Sequence, residues 1–334
     1  VDPGAFRIPP RGLVLRSALP IPYLAAMRTE PTDLEPAAFR AGFVALAGLP
    51  NVGKSTLLNA LVGERLAIVT HKAQTTRRRL LGIYSDDGHQ AVFVDTPGLL
   101  EPRYTLQRSM RHEALAALAD ADVIVAVVDA GFEPSVEWAR AVGPELRHPK
   151  VLCINKIDRA PGEELARMGA TLEPAGWDAI IPARAVEGTG VGELREAILS
   201  LLPESPPLYP ADELSDAPVR EFAAELVRET CLEELEQEVP YAIAVQIEQF
   251  KERGEGKPTY IEAWIFVERE SQKGIVIGAG GKTIKRIGRR SREKIEHFLE
   301  AGVYLELRVK VLANWRKRAD QLRLLGFRVP QEEG

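Results

Sequence analysis

Gly48-Leu49-Pro50-Asn51-Val52-Gly53-Lys54-Ser55-Thr56 fits the pattern G-x-x-x-x-G-K-[ST], and its surroundings decide the fold of the first half of the chain. The apolar run 42–47 before it suits a buried strand, while Leu57, Leu58, Leu61 and Val62 after it keep helical spacing. Strand, glycine loop and helix in that order make an anion site. Gly48 and Gly53 let backbone N–H groups turn inward, the helix presents the positive end of its dipole, and Lys54 adds a mobile charge that reaches terminal phosphate oxygens. Asn51, Val52 and Thr56 belong to the same cradle, and Ser55 is placed to set its hydroxyl on a Mg²⁺.

Outward from this loop, apolar runs alternate with amphipathic segments, the pattern of a mostly parallel sheet wrapped by helices. Strands are expected at 80–84, 90–95, 122–129, 150–155 and 177–182, the first two joined as an antiparallel hairpin through Asp86-Asp87-Gly88. Helices are expected near 106–119, 135–146, 163–168 and 192–202. Two further motifs fall where strands end. Asp95-Thr96-Pro97-Gly98 places a carboxylate beside the loop strand, where it holds a Mg²⁺ water while the Gly98 N–H faces a γ-phosphate. Asn155-Lys156-Ile157-Asp158 follows 151–154, and ligands of such sheets bind at the carboxyl ends of the strands. The Asp158 carboxylate accepts from both N1–H and the exocyclic amine of guanine, whereas adenine would leave it unpaired, a discrimination of about 10⁴-fold or more.

These three elements together resemble a GTPase domain of the translation-factor class. The resemblance implies a fifth element, a Ser-Ala or Thr-Ala pair after the last strand that meets the guanine carbonyl. In Ile181-Pro182-Ala183-Arg184 it assigns that role to the Ala183 N–H, with Pro182 in place of the hydroxyl residue. The polar segment Lys72-Ala73-Gln74-Thr75-Thr76-Arg77 matches the family's first switch, with Thr76 preferred over Thr75 as the threonine that binds Mg²⁺ alongside GTP. Lys54, Thr76 and Gly98 are the expected catalytic groups. Where other GTPases carry a water-positioning glutamine after D-x-x-G, this chain has Leu99 and Leu100. That resembles a hydrophobic-substituted subclass with slow intrinsic turnover, in which Asn51 either holds a K⁺ or braces the loop.

The chain has 334 residues, 45% of them hydrophobic, enough for two domains with real cores. No apolar run approaches the length of a membrane span. Cys153 and Cys231 are too few and too distant for a disulfide framework and read as reduced core thiols; the five histidines lack ligand spacing. Residues 1–40, rich in proline and without a signal peptide's compact apolar region, read as a disordered leader, with Met27 as an alternative start. The net charge of −5 hides an asymmetry. Residues 271–328 hold fifteen basic residues against five acidic ones, which suits a polyanionic partner for that end alone.

Prolines at 203, 206, 207 and 210 mark a stiff linker over 204–215 between domains at 41–203 and 216–328, with 329–334 a tail. Past it come a helix at 219–237 and strands at 242–250 and 259–267. The glycine stretch Ile277-Gly278-Ala279-Gly280-Gly281-Lys282 then leads into a helix to 299 and a strand at 303–312. This resembles a KH domain of the bacterial (type II) topology, whose loop clamps about four single-stranded nucleotides. Ile277, Gly278, Ala279, Gly280, Gly281, Lys282, Lys285 and Arg286 are the RNA-binding residues it implies, with bases lying in an apolar groove beside Ile275 and Ile277. Residues 314–327 read as a closing basic helix.

The fold class is therefore α/β, a P-loop GTPase mixed sheet followed by an α+β KH domain, and the pair resembles the Era family of GTPases. The family implies GTP or GDP with Mg²⁺ as cofactors and a monomeric, cytoplasmic protein that touches the inner face of the cell membrane peripherally. It also implies the 3′ end of 16S rRNA and the small ribosomal subunit as partners. The competing reading is a nucleotide-gated adaptor for protein or membrane partners without RNA binding. Replacing Asp158 by Asn offers the base a donor where the carboxylate accepted. Asp158→Asn should therefore shift preference from guanine to xanthine nucleotides in a competition assay, and unchanged GTP preference would contradict the assignment.

Overall fold

The computed structural model describes residues 38–330 except 71, 73, 74 and 255; the expected leader, apart from residues 38–40, and the tail past 330 lie outside the described residues. The first sheet has six strands: β1 (Arg40–Ala47), β2 (Leu80–Ser85), β3 (His89–Asp95), β4 (Val123–Asp129), β5 (Lys150–Asn155) and β6 (Ala179–Pro182). Their spatial order is β2-β3-β1-β4-β5-β6, with β2 antiparallel to β3 and every other pair parallel. Every residue of β4 is buried, as a central strand covered on both faces requires. Around the sheet lie α1 (Lys54–Val62), α2 (Thr105–Asp120), α3 (Glu133–Val142), α4 (Gly162–Leu172) and α5 (Val191–Ser200). The β2–β3 turn is made by Asp86, whose Oδ1 accepts from the N–H groups of Gly88 (2.9 Å) and His89 (2.7 Å).

The second sheet packs α6 (Val219–Glu234) and α8 (Lys282–Leu299) on one face of β7 (Ala244–Lys251), β8 (Thr259–Val267) and β9 (Val303–Val311), with β8 and β9 parallel. Between β8 and α8 stands α7 (Glu270–Ile277), a helix that the sequence reading did not assign. Gly274 and the β-branched run Ile275-Val276-Ile277 disfavour helix locally. Burial of Val276 against the core and Gln272, whose side chain accepts from the backbone of Glu268 and Arg269, hold the helix in place.

Three expectations change. The closing segment is not one basic helix: Trp315–Lys317 forms a single tight turn and α9 spans only Ala319–Leu324. The break arises because Trp315 turns inward, is fully buried, and donates its indole N–H to Ala242 O at 2.9 Å, next to Phe327 and to Leu106 and Met110 of α2. Arg40, placed in the leader by sequence, opens β1 and donates to Leu202 O. Residues 204–215 lie along the first sheet. The backbone N–H groups of Leu208 and Tyr209 donate to the buried Gln90, Ile83 N–H donates to Leu214 O, and the Ser215 hydroxyl donates to Leu81 O.

Cys153 and Cys231 are free and fully buried, and burial pushes both thiols up to about 12. At pH 8 about one thiol in 10⁴ is thiolate, the reactive form. Neither should react with an aromatic disulfide reagent in the native protein, both should react at once in denaturant, and rapid native labelling would contradict this packing.

Candidate functional site

The carboxyl ends of β1, β3, β4 and β5, with the loop after β6, enclose an open cleft of about 650 Å³, lined by residues of the three sequence motifs together. At its floor the glycine loop wraps the start of α1. Gly53 holds φ 102°, where a Cβ would collide with Asn155 Nδ2, so no other residue fits. Lys54 is buried, and its ammonium donates to Gly48 O and Leu49 O, each at 3.1 Å. Burial lowers its pKa to about 8, against the pull of Asp95. So costly a buried cation gains from any phosphate brought against it.

Asp95 ends β3, fully buried. Its Oδ2 accepts from Ser55 Oγ (2.6 Å) and Thr76 Oγ1 (2.9 Å), which lie 2.8 Å from each other, while Oδ1 is buried without a partner among the described residues. Burial raises the carboxyl's pKa; Lys54 and the two hydroxyls oppose it. Two hydroxyls and an under-satisfied carboxylate, all oxygen donors, suit a hard divalent ion such as Mg²⁺. Thr75 is directed elsewhere, donating to Lys72 O at 2.7 Å and lying beside Thr70, so the structure brings Thr76 to this cluster. The D-x-x-G segment is tied to the loop: Thr96 donates to Leu46 O, Leu99 N–H to Gly48 O, and Gly98 packs on Pro50, where a Cβ would clash. Leu99 is buried in the core and Leu100 lines the cleft.

At the base end, Asn155 is 2% exposed and joins two loops, donating through Nδ2 to Val52 O (2.9 Å) and accepting at Oδ1 from Ala185 N–H (3.1 Å). Lys156 at φ 59° donates to Asn51 O and to Asp129 Oδ2, which also receives Arg159 at 2.9 Å. Asp158 lies at the rim, its side chain 40% exposed. Ala183 does not serve as expected. Its N–H is spent on Ile154 O at 2.8 Å as the continuation of the β5–β6 pairing, and it is buried behind the cleft. Ala185, two residues later, lines the cleft in its stead, with Arg184 in the position before it. Asp129, Phe132, Arg184 and Val186 also line this end and were missed. None of them has a sequence signal apart from following a strand end.

On the second domain, Gly278 (φ 72°), Gly280 (φ 58°) and Gly281 (φ 74°) form the turn between α7 and α8, and a Cβ on Gly278 would meet the Thr283 hydroxyl. Ala279, Lys282 and Lys285 are exposed there, Ile275 is 51% exposed, and Ile277 is partly covered. Arg286 is less available than its sequence position suggests. It pairs with Glu234, Arg290 pairs with Glu233 and Glu234, and Lys294 pairs with Glu229 and Glu233, so α6 neutralises one flank of the basic helix.

The two domains touch through the polar segment before β2. Arg77 donates to Ile243 O (2.5 Å) and Tyr241 O (2.9 Å) and its guanidinium lies 5.7 Å from the Trp315 ring centroid. Arg228 of α6 donates to Thr75 O. Glu229, fully buried, takes Arg65 and Val69 N–H from the first domain and Lys294 from α8.

Known proteins carry the same features. A family model described as 50S ribosome-binding GTPase matches residues 43–156, and one described as KH domain matches 238–316. GTPase Era of Bradyrhizobium diazoefficiens is 43% identical over 309 residues, covering 92% of this chain and 100% of that protein. GTPase Era of a Geobacter species is 44% identical, covering 86% and 98%. Among solved structures, an Aquifex aeolicus Era variant bound to GDP and aluminium fluoride is 39% identical with a TM-score of 0.81. Era in complex with MgGDPNP and nucleotides 1506–1542 of 16S ribosomal RNA is 40% identical with a TM-score of 0.81. Each of these two structures covers 86% of this chain and 99% of its own.

Lys54→Ala removes the buried ammonium that faces the phosphate position. GTP binding should weaken about ten- to hundredfold, the loss of one or two charge-assisted hydrogen bonds. Wild-type affinity and turnover in this variant would overturn the placement of phosphate on the loop.

Proposed function

The chain belongs to the Era family of GTPases, and from that premise we propose a GTP-hydrolysing switch that binds the single-stranded 3′ end of 16S rRNA during assembly of the small ribosomal subunit. The single observation that carries the reading is that residues 75–77, whose Thr76 sits in the Asp95 cluster, are also bonded to the second domain through Arg228, Tyr241 and Ile243. A γ-phosphate that orders Thr76 thereby acts on the segment that Arg228 and Arg77 hold.

In this reading Gly48, Asn51, Val52, Gly53, Lys54, Ser55 and Thr56 cradle the phosphates, and Ser55, Thr76 and Asp95 hold the Mg²⁺, Asp95 through a water. When bound, the ion neutralises charge on the β- and γ-phosphates. Lys54 supplies the fixed positive charge and Gly98 the backbone donor toward the γ-phosphate. Leu99 and Leu100 offer no group that hydrogen-bonds an attacking water, which supports slow turnover by the isolated protein. Asn155, Lys156 and Asp158 select guanine, with Ala185 instead of Ala183 lining the base end of the cleft. Asn51 is braced through its backbone carbonyl by Lys156, which leaves its exposed side chain to a K⁺.

RNA enters beside Ile277, Gly278, Ala279, Gly280 and Gly281, with Lys282 and Lys285 as phosphate contacts and Arg286 shared with Glu234. The family also implies a cytoplasmic monomer with peripheral contact to the inner face of the membrane; among the described residues no helix is long and apolar enough to cross one.

The test is titration of a short pyrimidine-rich RNA strand into the full chain loaded with GDP or with a non-hydrolysable GTP analogue. Affinity should fall steeply with salt and differ between the two nucleotides. Equal affinity in both states would remove the switch, and no saturable binding in either would favour an adaptor for protein partners.

A further inference from the structure

The base end of the cleft contains a charged arrangement that the family pattern does not supply. With Ala185 in the place expected of Ala183, the position before it, where the Ser-Ala or Thr-Ala pattern has a neutral hydroxyl residue, is not Pro182 but Arg184. Its Nε lies 3.3 Å from Asp158 Oδ1, and its Nη1 lies 2.7 Å from Glu187 Oε2. The backbone beneath is closed: Arg184 N–H donates to Thr189 O at 2.9 Å and Glu187 N–H to Arg184 O at 3.0 Å. Arg184 and Asp158 both line the cleft, each side chain between 38% and 40% exposed.

A guanidinium on one oxygen of this carboxylate does not by itself compete with a base. An ionised carboxylate offers about four acceptor positions, and guanine needs two, one on each oxygen. Taking one of these positions, on Oδ1, Arg184 leaves acceptor positions on both oxygens. What it removes is freedom. The terminal torsion of an aspartate is broad, so a half-exposed carboxylate samples many rotations, of which few present both oxygens to one flat edge. Glu187 anchors the guanidinium, the guanidinium fixes Oδ1, and the carboxylate plane follows. The net stability from such exposed pairs is small because solvent screens them, so the contribution lies in orientation.

We propose that Arg184, held by Glu187, is a positioning residue that sets the Asp158 carboxylate for two-point recognition of guanine. This rests on the guanine-nucleotide reading of the cleft. The consequence is specific. Inosine keeps N1–H but lacks the exocyclic amine, so it makes only one of the two bonds and depends less on the carboxylate's rotation.

The experiment measures the affinity of the full chain with Mg²⁺ for GTP, ITP and ATP by displacement of a fluorescent GDP analogue. It compares wild type with Arg184→Ala and Arg184→Lys, and repeats Arg184→Ala in an Asp158→Ala background. Arg184→Ala should weaken GTP roughly two- to fivefold, with ITP weakened less, so that the GTP-to-ITP preference falls. Arg184→Lys should restore part of that preference, and Arg184→Ala should change nothing further once Asp158 is gone. Equal weakening of GTP and ITP, or an undiminished effect in the Asp158→Ala background, would overturn the proposal and assign Arg184 to loop structure. A wild-type chain with no preference for GTP over ATP would instead sink the guanine reading itself, whatever Arg184 does.

Discussion

The buried carboxylate of Asp95, taking the hydroxyls of Ser55 and Thr76 on one oxygen, is the interaction on which the rest of this molecule turns. It joins three parts of the chain that are far apart in sequence: the start of α1, the end of β3 and the segment leading into β2. A charge buried this deeply is expensive unless it is compensated, and here the compensation comes from Lys54, two hydroxyls and, when bound, a divalent ion. Removing any one of them leaves the carboxylate still less compensated. The cluster is therefore a point where ligand chemistry and backbone position are the same question.

From Thr76 the consequence travels outward by direct contact. Thr75 O receives Arg228, and Arg77 spans to the carbonyls of Tyr241 and Ile243 beside Trp315. Among the described residues Arg77 hydrogen-bonds to carbonyls, and burial, with Arg228 nearby, lowers its pKa to about 9 against the pull of Tyr104 and Glu225. An interface held by a cation so poorly compensated gives up little when it opens, since water resolvates the charge. Glu229 runs alongside, bound at once by Arg65, the Val69 backbone and Lys294 of the helix that follows the RNA-type glycine loop. The segment beside the nucleotide cleft and the middle of α8 are thus joined through polar contacts to α6.

The same economy of charge shapes the second domain. Its sequence is strongly basic, yet α6 sets Glu229, Glu233 and Glu234 against the middle of α8. That leaves the first turn, with Lys282 and Lys285, as the exposed positive end next to Gly278–Gly281. That end is a helix start, where backbone N–H groups point the same way and favour an anion.

Local sequence determined the phosphate loop, the strand-end motifs, the β2–β3 hairpin and both glycine turns. Each depends on residues adjacent in the chain and on backbone conformations that few residues other than glycine adopt. It also indicated Thr76 over Thr75, though only as a preference. Tertiary structure alone decided the rest. Ala183 looked available until pairing of β6 with β5 consumed its N–H, which leaves Ala185 and not Ala183 lining the base end of the cleft. The basic run around Trp315 looked like a continuous helix until burial of one indole between two domains broke it. Residues 270–277 were assigned no helix from sequence, and a core position for Val276 outweighs their low helix propensity. In each case the deciding partner lies in another segment of the chain, and a contact between distant segments leaves no periodicity for a sequence to display.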